Sequence, residues 1–169
     1  MKNCLLMAAI ALTTFSCSPK TENATATADA HVFGVNYDST AHMDAIKATL
    51  DDIEKSDTVS YLKKYADTAV FNDNGKKMTL AENVAVQRNF MNSGIKVKVN
   101  RDYAMWSSHF NFKDSTQADF VYTYVTINFS KGDKNVDVVF FQADKFNKDG
   151  KITEEYIVYD QSGLATLMK

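Results

Sequence analysis

Between residues 39 and 92 the apolar positions of this chain recur at helical spacing. Ile46, Leu50 and Ile53 form one stripe with Lys47, Asp51, Asp52 and Glu54 opposite, which predicts an amphipathic helix capped by Ser39 or Thr40. Ser56 or Asp57 recaps the chain, and Val59, Leu62 and Tyr65 predict a second, shorter helix ending near Ala66. A short strand is expected from Thr68 to Asp73, closed by Asn74-Gly75. Thr79 and Glu82 have the spacing of a capping box, in which hydroxyl and carboxylate reciprocally satisfy the free amides of a helix start. A third helix therefore runs from there to about Asn92, with Gly94 as its stop.

Beyond Gly94 the period falls to two. Ile95, Val97 and Val99 alternate with Lys96, Lys98 and Asn100, the mark of a half-exposed strand. Three more strands are expected at Ala118 to Ser130, Val136 to Phe146 and Lys151 to Asp160, joined by the turns KGDKN and NKDG, and a short helix from Leu164 to Met168 ends the chain. Helix, helix, strand, helix and then four consecutive strands make an α+β domain. Its three N-terminal helices should pack on a strongly curved, mostly antiparallel sheet and enclose a conical pocket.

Composition changes the picture in one respect. A net charge of −2 over 169 residues carries no basic excess of the kind that binds nucleic acid, so no nucleic-acid partner is expected. The start of the chain has a character of its own. Met1-Lys2-Asn3, the apolar run Cys4 to Leu12 and the small residues up to Ser16-Cys17 have the form of a secretory signal too short to span a bilayer. The Ser16-Cys17 junction resembles a bacterial lipoprotein processing site, which implies residues 1–17 as signal peptide and Cys17 as the lipidated residue. Plain signal cleavage, with Cys17 incidental, is the alternative. Cys4 and Cys17 are the only cysteines, so the processed domain would hold no disulfide. Residues 18–38 begin with the polar stretch SPKTENATATADA and read as a flexible tether, with an apolar patch from His31 to Tyr37 able to pack on the domain at 39–169.

The stretch FFQADKFNKDGKITEEYIVYD, Phe140 to Asp160, resembles the closing hairpin of SnoaL-like and ketosteroid-isomerase-like domains of the nuclear-transport-factor-two-like superfamily. Tyr65 to Asp73, YADTAVFND, is similar to the isomerase segment that ends in its general base. The resemblance implies a cone-shaped fold with Asp73 in the place of the base. It puts Thr49 where the isomerase has a donating Tyr, and Gln142 where it has a protonated carboxylic acid. It places Glu155 and Tyr159 on the pocket wall, and Trp106 and His109 toward the mouth. Loss of one such donor typically costs on the order of 3 kcal/mol of transition-state stabilisation, so with both changed steroid isomerisation is not expected. Each position also has a plain structural reading: Asp73 as a turn residue, Tyr159 as wall packing. Gln142 is the most informative, because a buried amide needs a partner, either a ligand or Glu155.

Other chemistry falls away on inspection. The run Asn147 to Ile152 mimics a calcium loop, but Lys145 and Tyr156 occupy its first and last ligand positions. The three histidines lack paired metal-ligand spacing, and no Gly-rich phosphate loop is present, so neither metal nor cofactor is expected. The expected function is a lipid-anchored domain of the bacterial cell envelope that binds an unknown, partly apolar small molecule. The alternatives are an acid/base enzyme using Asp73 or Glu155 on a carbonyl-bearing substrate, and an interaction module forming a homodimer through the sheet face.

Overall fold

The computed structural model describes residues 33–37, 40–114 and 116–168. The expected signal segment, Cys17 and most of the expected tether lie outside the described residues. The elements run β1 (Phe33–Tyr37), α1 (Thr40–Lys55), α2 (Thr58–Leu62), β2 (Tyr65–Asp73), β3 (Lys76–Thr79), α3 (Leu80–Asn92), β4 (Lys96–Val99), β5 (Ala104–Asn111), β6 (Gln117–Lys131), β7 (Lys134–Phe146), β8 (Ile152–Tyr159) and α4 (Leu164–Leu167). They form an eight-stranded sheet in the order β1-β5-β6-β7-β8-β2-β3, with β4 also paired to β6. All pairings are antiparallel except β2 with β8.

The long strands β6 and β7 set the frame. Along β6 the odd positions Val121, Thr123, Val125, Ile127 and Phe129 are buried and the even ones from Phe120 to Asn128 face outward, at least partly exposed. β6 changes partner midway: β5 ends its pairing at Ala104↔Tyr124, and β4 takes over at Val99↔Ile127. Register shifts in the β2–β8 and β7–β8 pairs add local twist, which lets the sheet curl around its inner face.

Two apolar clusters fill the concave side. Ile46, Tyr61, Tyr65, Phe71, Phe146 and Ile152 form one; Leu50, Ile95, Val99, Val125, Ile127 and Leu167 form the other. The predicted stripe of α1 thus joins both, with Ile46 in the first and Leu50 in the second. Lys64 bonds Asp52 and ties α2 to α1. Leu164 and Leu167 add α4 to the inner side as a fourth helix. There Gly163 is required for close approach, since a Cβ would stand 2.6 Å from Val136 Cγ1.

The capping box forms as expected, with Glu82 N bonded to Thr79 Oγ1 and Thr79 N to a Glu82 carboxylate oxygen at 2.7 Å. Thr79→Ala is expected to lower stability by about 1 kcal/mol in urea unfolding. An unchanged midpoint would show that the α3 start is held by packing alone.

Three expectations need correction. Tyr65 opens β2 and does not close the second helix, which stops at Leu62 because Tyr65 is buried against Tyr61 and Phe71, with ring centroids at 4.7 and 5.1 Å. The end of the expected tether, 33–37, is strand β1, whose backbone pairs with β5. β3 and β5 are strands that periodicity left unassigned or ambiguous, being short or polar and held by cross-strand pairing.

Candidate functional site

The inner face of β7 presents Phe140, Gln142, Asp144 and Phe146 in alternation, and β8 lays Glu155 opposite Asp144 and Ile157 opposite Gln142. Gln142, Asp144 and Glu155 are all buried, with Asp144 fully so. The Gln142 amide nitrogen lies 3.0 and 2.9 Å from the two Asp144 oxygens and 3.2 Å from Glu155 Oε2. Tyr65 donates its hydroxyl to the same Glu155 oxygen at 2.5 Å. Behind it Tyr61 donates to Asn83 Oδ1 at 3.3 Å, and Gln87 Nε2 donates to the same atom at 2.8 Å.

This network is a buried acid pair with its own donors. Burial pushes Glu155 up to about 7, against the lowering effect of the Tyr65 and Asp144 hydrogen bonds. Asp144 is raised well above the usual carboxylate range, first by burial and then by the Glu155 charge. The two act as one unit sharing a proton near neutrality, with Asp144 donating to Glu155. Tyr65 is raised by burial and by that charge, which keeps it a donor.

Above the network lies an apolar cavity of about 190 Å³ between the sheet and helices α1, α3 and α4. Its walls include Leu50, Phe90, Ile127, Phe129, Phe140 and Leu164, and its polar groups are Gln87, Gln142 and Tyr159. This is smaller than the roughly 300–1,000 Å³ of pockets that hold drug-sized ligands. It nonetheless exceeds the ~150 Å³ at which an apolar protein cavity accommodates benzene. Asp144 and Glu155 do not line it; Gln142 stands between them and the space.

Tyr159 packs at a tilt against Phe140, with centroids 4.5 Å apart, and donates its hydroxyl to Asp73 Oδ2 at 3.3 Å. Burial, reinforced by the Asp73 charge, pushes Tyr159 up to about 12. Asp73 is raised by burial, and its other oxygen is enclosed without a hydrogen-bond partner. It lines a neighbouring groove with Lys76, Asp160 and Gln161, and Tyr159 and Val86 border both spaces.

The residues singled out from sequence therefore divide. Gln142, Glu155 and Tyr159 gather on the inner wall. Asp73 sits at the adjoining rim, outside the cavity. Thr49 is buried but outside the lining, its hydroxyl donated to Ala45 O at 2.9 Å. Trp106 lies on the opposite face of the sheet, because its partner across β6 is the outward-facing Tyr122, on which it stacks at 5.5 Å. A place at the mouth is ruled out for it by strand parity. His109 is on the inner side of β5, bonded to Asp119 at 2.7 Å, and is not among the cavity-lining residues. Sequence reading missed Asp144 and Tyr65. Asp144 was legible in principle, being two positions from Gln142 on the same strand face.

Among the described residues no group of three or more His, Cys, Asp and Glu is arranged to hold a metal. Nor is any described helix long and apolar enough to cross a membrane.

No family profile and no curated protein matches the chain by sequence. Solved structures do match in shape. A SnoaL-like polyketide cyclase candidate from Shewanella putrefaciens superposes with TM-score 0.55 at 14% identity, covering 75% of this chain and 95% of its own. An epoxide hydrolase of the LEH-like type from M. tuberculosis gives 0.55 at 18%, covering 76% and 90%. A protein named NTF2-like from Burkholderia xenovorans gives 0.53 at 11%, covering 78% and 98%. At such identities the likeness speaks for the fold. With its curled mixed sheet, inner helices and hollow, the chain has the SnoaL-like, nuclear-transport-factor-two-like cone fold.

Proposed function

We propose that this protein is a lipid-anchored domain of the bacterial cell envelope that binds a small, mostly apolar molecule in its cone. The observation that carries the binding reading is the apolar cavity with Gln142 at its base and Tyr159 at its edge. A few convergent polar groups in an apolar hollow are the usual form of a small-molecule site. The anchor is supported by the sequence before residue 18 alone, and palmitate labelling of the full chain with a Cys17→Ser control tests it.

Binding is tested by native mass spectrometry of protein isolated from its own cells. A retained small organic molecule is expected in the wild type and is expected to be lost in Val86→Trp. Val86 is about half exposed at the border of cavity and groove, so a bulky side chain there should fill the opening without disturbing the core. Equal retention by the variant would locate the molecule elsewhere.

The acid/base alternative rests on Asp144 and Glu155, a pair that holds a proton near neutrality. It is the weaker reading because Gln142 screens the pair from the cavity, and a general acid must reach the proton's destination.

A second reading concerns the outer sheet face. Trp106, Tyr124, Val139, Phe141 and Tyr156 are all exposed there, and Tyr122 stacks between Trp106 and Phe141. A contiguous apolar face of this kind marks an interface, and it favours a homodimer. Light scattering at micromolar concentration should give twice the monomer mass for the wild type and the monomer mass for Phe141→Lys. A monomeric wild type would remove this reading.

A further inference from the structure

The amide at the base of the cavity has a sense that reverses what an oxyanion site needs. The Gln142 amide nitrogen is held by three carboxylate oxygens between 2.9 and 3.2 Å, so its orientation is set by chemistry. Both N–H groups point at the acids, and the carbonyl oxygen is the atom left for the cavity. Tyr159 has one hydroxyl hydrogen, and Asp73 accepts it. Gln87 Nε2 donates to Asn83 Oδ1 at 2.8 Å. Gln142, at the base of the cavity, thus offers an acceptor within walls that are mostly hydrocarbon and aromatic.

We infer that the cavity selects a compact, mostly apolar ligand by a hydroxyl or N–H that it donates, and discriminates against a carbonyl oxygen at the same position. A carbonyl or enolate oxygen placed there would face the Gln142 oxygen with no donor between them. It would leave two acceptors unpaired in an apolar enclosure, where an unmade hydrogen bond is most costly. A hydroxyl meets the same atom as a donor. The inference rests on the cavity-binding reading and narrows it to a chemical class, alcohols, phenols and N–H heterocycles of about one or two rings. It also removes the acid pair from direct contact with ligand: Asp144 and Glu155 act as positioning residues that hold the amide in one sense.

The test is a matched pair on one skeleton, 1-indanol and 1-indanone, titrated into the wild-type domain and followed by the methyl resonances of Leu50, Ile127 and Leu164. The alcohol is expected to bind about tenfold more tightly than the ketone, the worth of one hydrogen bond made against one missed. In Gln142→Met, of similar length but without the acceptor, the two dissociation constants should converge. The wild-type ratio needs no variant, so failure of that variant to fold leaves the test intact. Equal affinity, or a preference for the ketone, with saturable shifts at those methyls overturns this inference and leaves the binding reading standing. No saturable shift with either compound overturns both.

Discussion

Raising the pH from 5 to 8 is expected to destabilise the domain, and Asp144→Asn is expected to reduce that loss and to be the more stable protein at pH 8. A carboxyl whose pKa is raised in the folded state binds its proton there after the unfolded chain has released it. Stability then falls as pH rises from the unfolded pKa through the folded one. For Glu155, raised from 4.5 to about 7, the loss is on the order of 3 kcal/mol. Asp144 and Asp73 are shifted in the same direction, chiefly by burial, so their contributions carry the same sign. The carboxylates with lowered values, Glu82, Asp114, Glu154 and Asp160, change stability only below the ordinary carboxylate range, outside this window. An Asn at position 144 would donate to Glu155 as the protonated acid does and accept from Gln142, with no charge to desolvate. Urea unfolding at half-unit pH steps measures both curves. Parallel curves for the two proteins would show that Asp144 is ionised in the native state and that the shared-proton description is wrong.

Phe71→Ala is expected to lower stability by about 3–5 kcal/mol, the usual cost of emptying a buried aromatic position. Phe71 is 1% exposed in the middle of β2, opposite Met78 on one side and Glu155 on the other. Its ring also supports Tyr65 at 5.1 Å, and Tyr65 carries the hydrogen bond to Glu155. The substitution therefore removes packing and loosens the donor of the acid pair together. Thermal unfolding followed by circular dichroism should show a drop of roughly 10–20 °C for a domain of this size. A drop of a few degrees would mean that the inner face collapses around the lost ring, and that the cone is softer than its packing implies.

Most elements were legible because their signals are local. The stripe of α1, the Thr79–Glu82 box and the Asn147–Gly150 turn each depend on residues a few positions apart, and each is in place. Gly150 takes the positive φ of 72° that the turn demands, and Asn147 accepts from Asp149 N and Lys151 N. Tyr65 misled because a single aromatic fits the end of a helix as well as the start of a strand. Its place was decided by Tyr61, Phe71 and Glu155 together.

The site follows the same division. Alternation along a strand determined by itself that Glu155 shares a face with Tyr159, and that Gln142 shares one with Asp144. Which face looks inward, and that Trp106 would lie on the other one, depended on strand pairing across β5, β6 and β7. The sense of the Gln142 amide depended on two acids, one of them thirteen residues away, brought within 3.2 Å of one nitrogen. Residue spacing carries the parity of a strand; only pairing in three dimensions decides which polar atoms are already satisfied, because a hydrogen bond needs a distance and a direction that sequence does not contain.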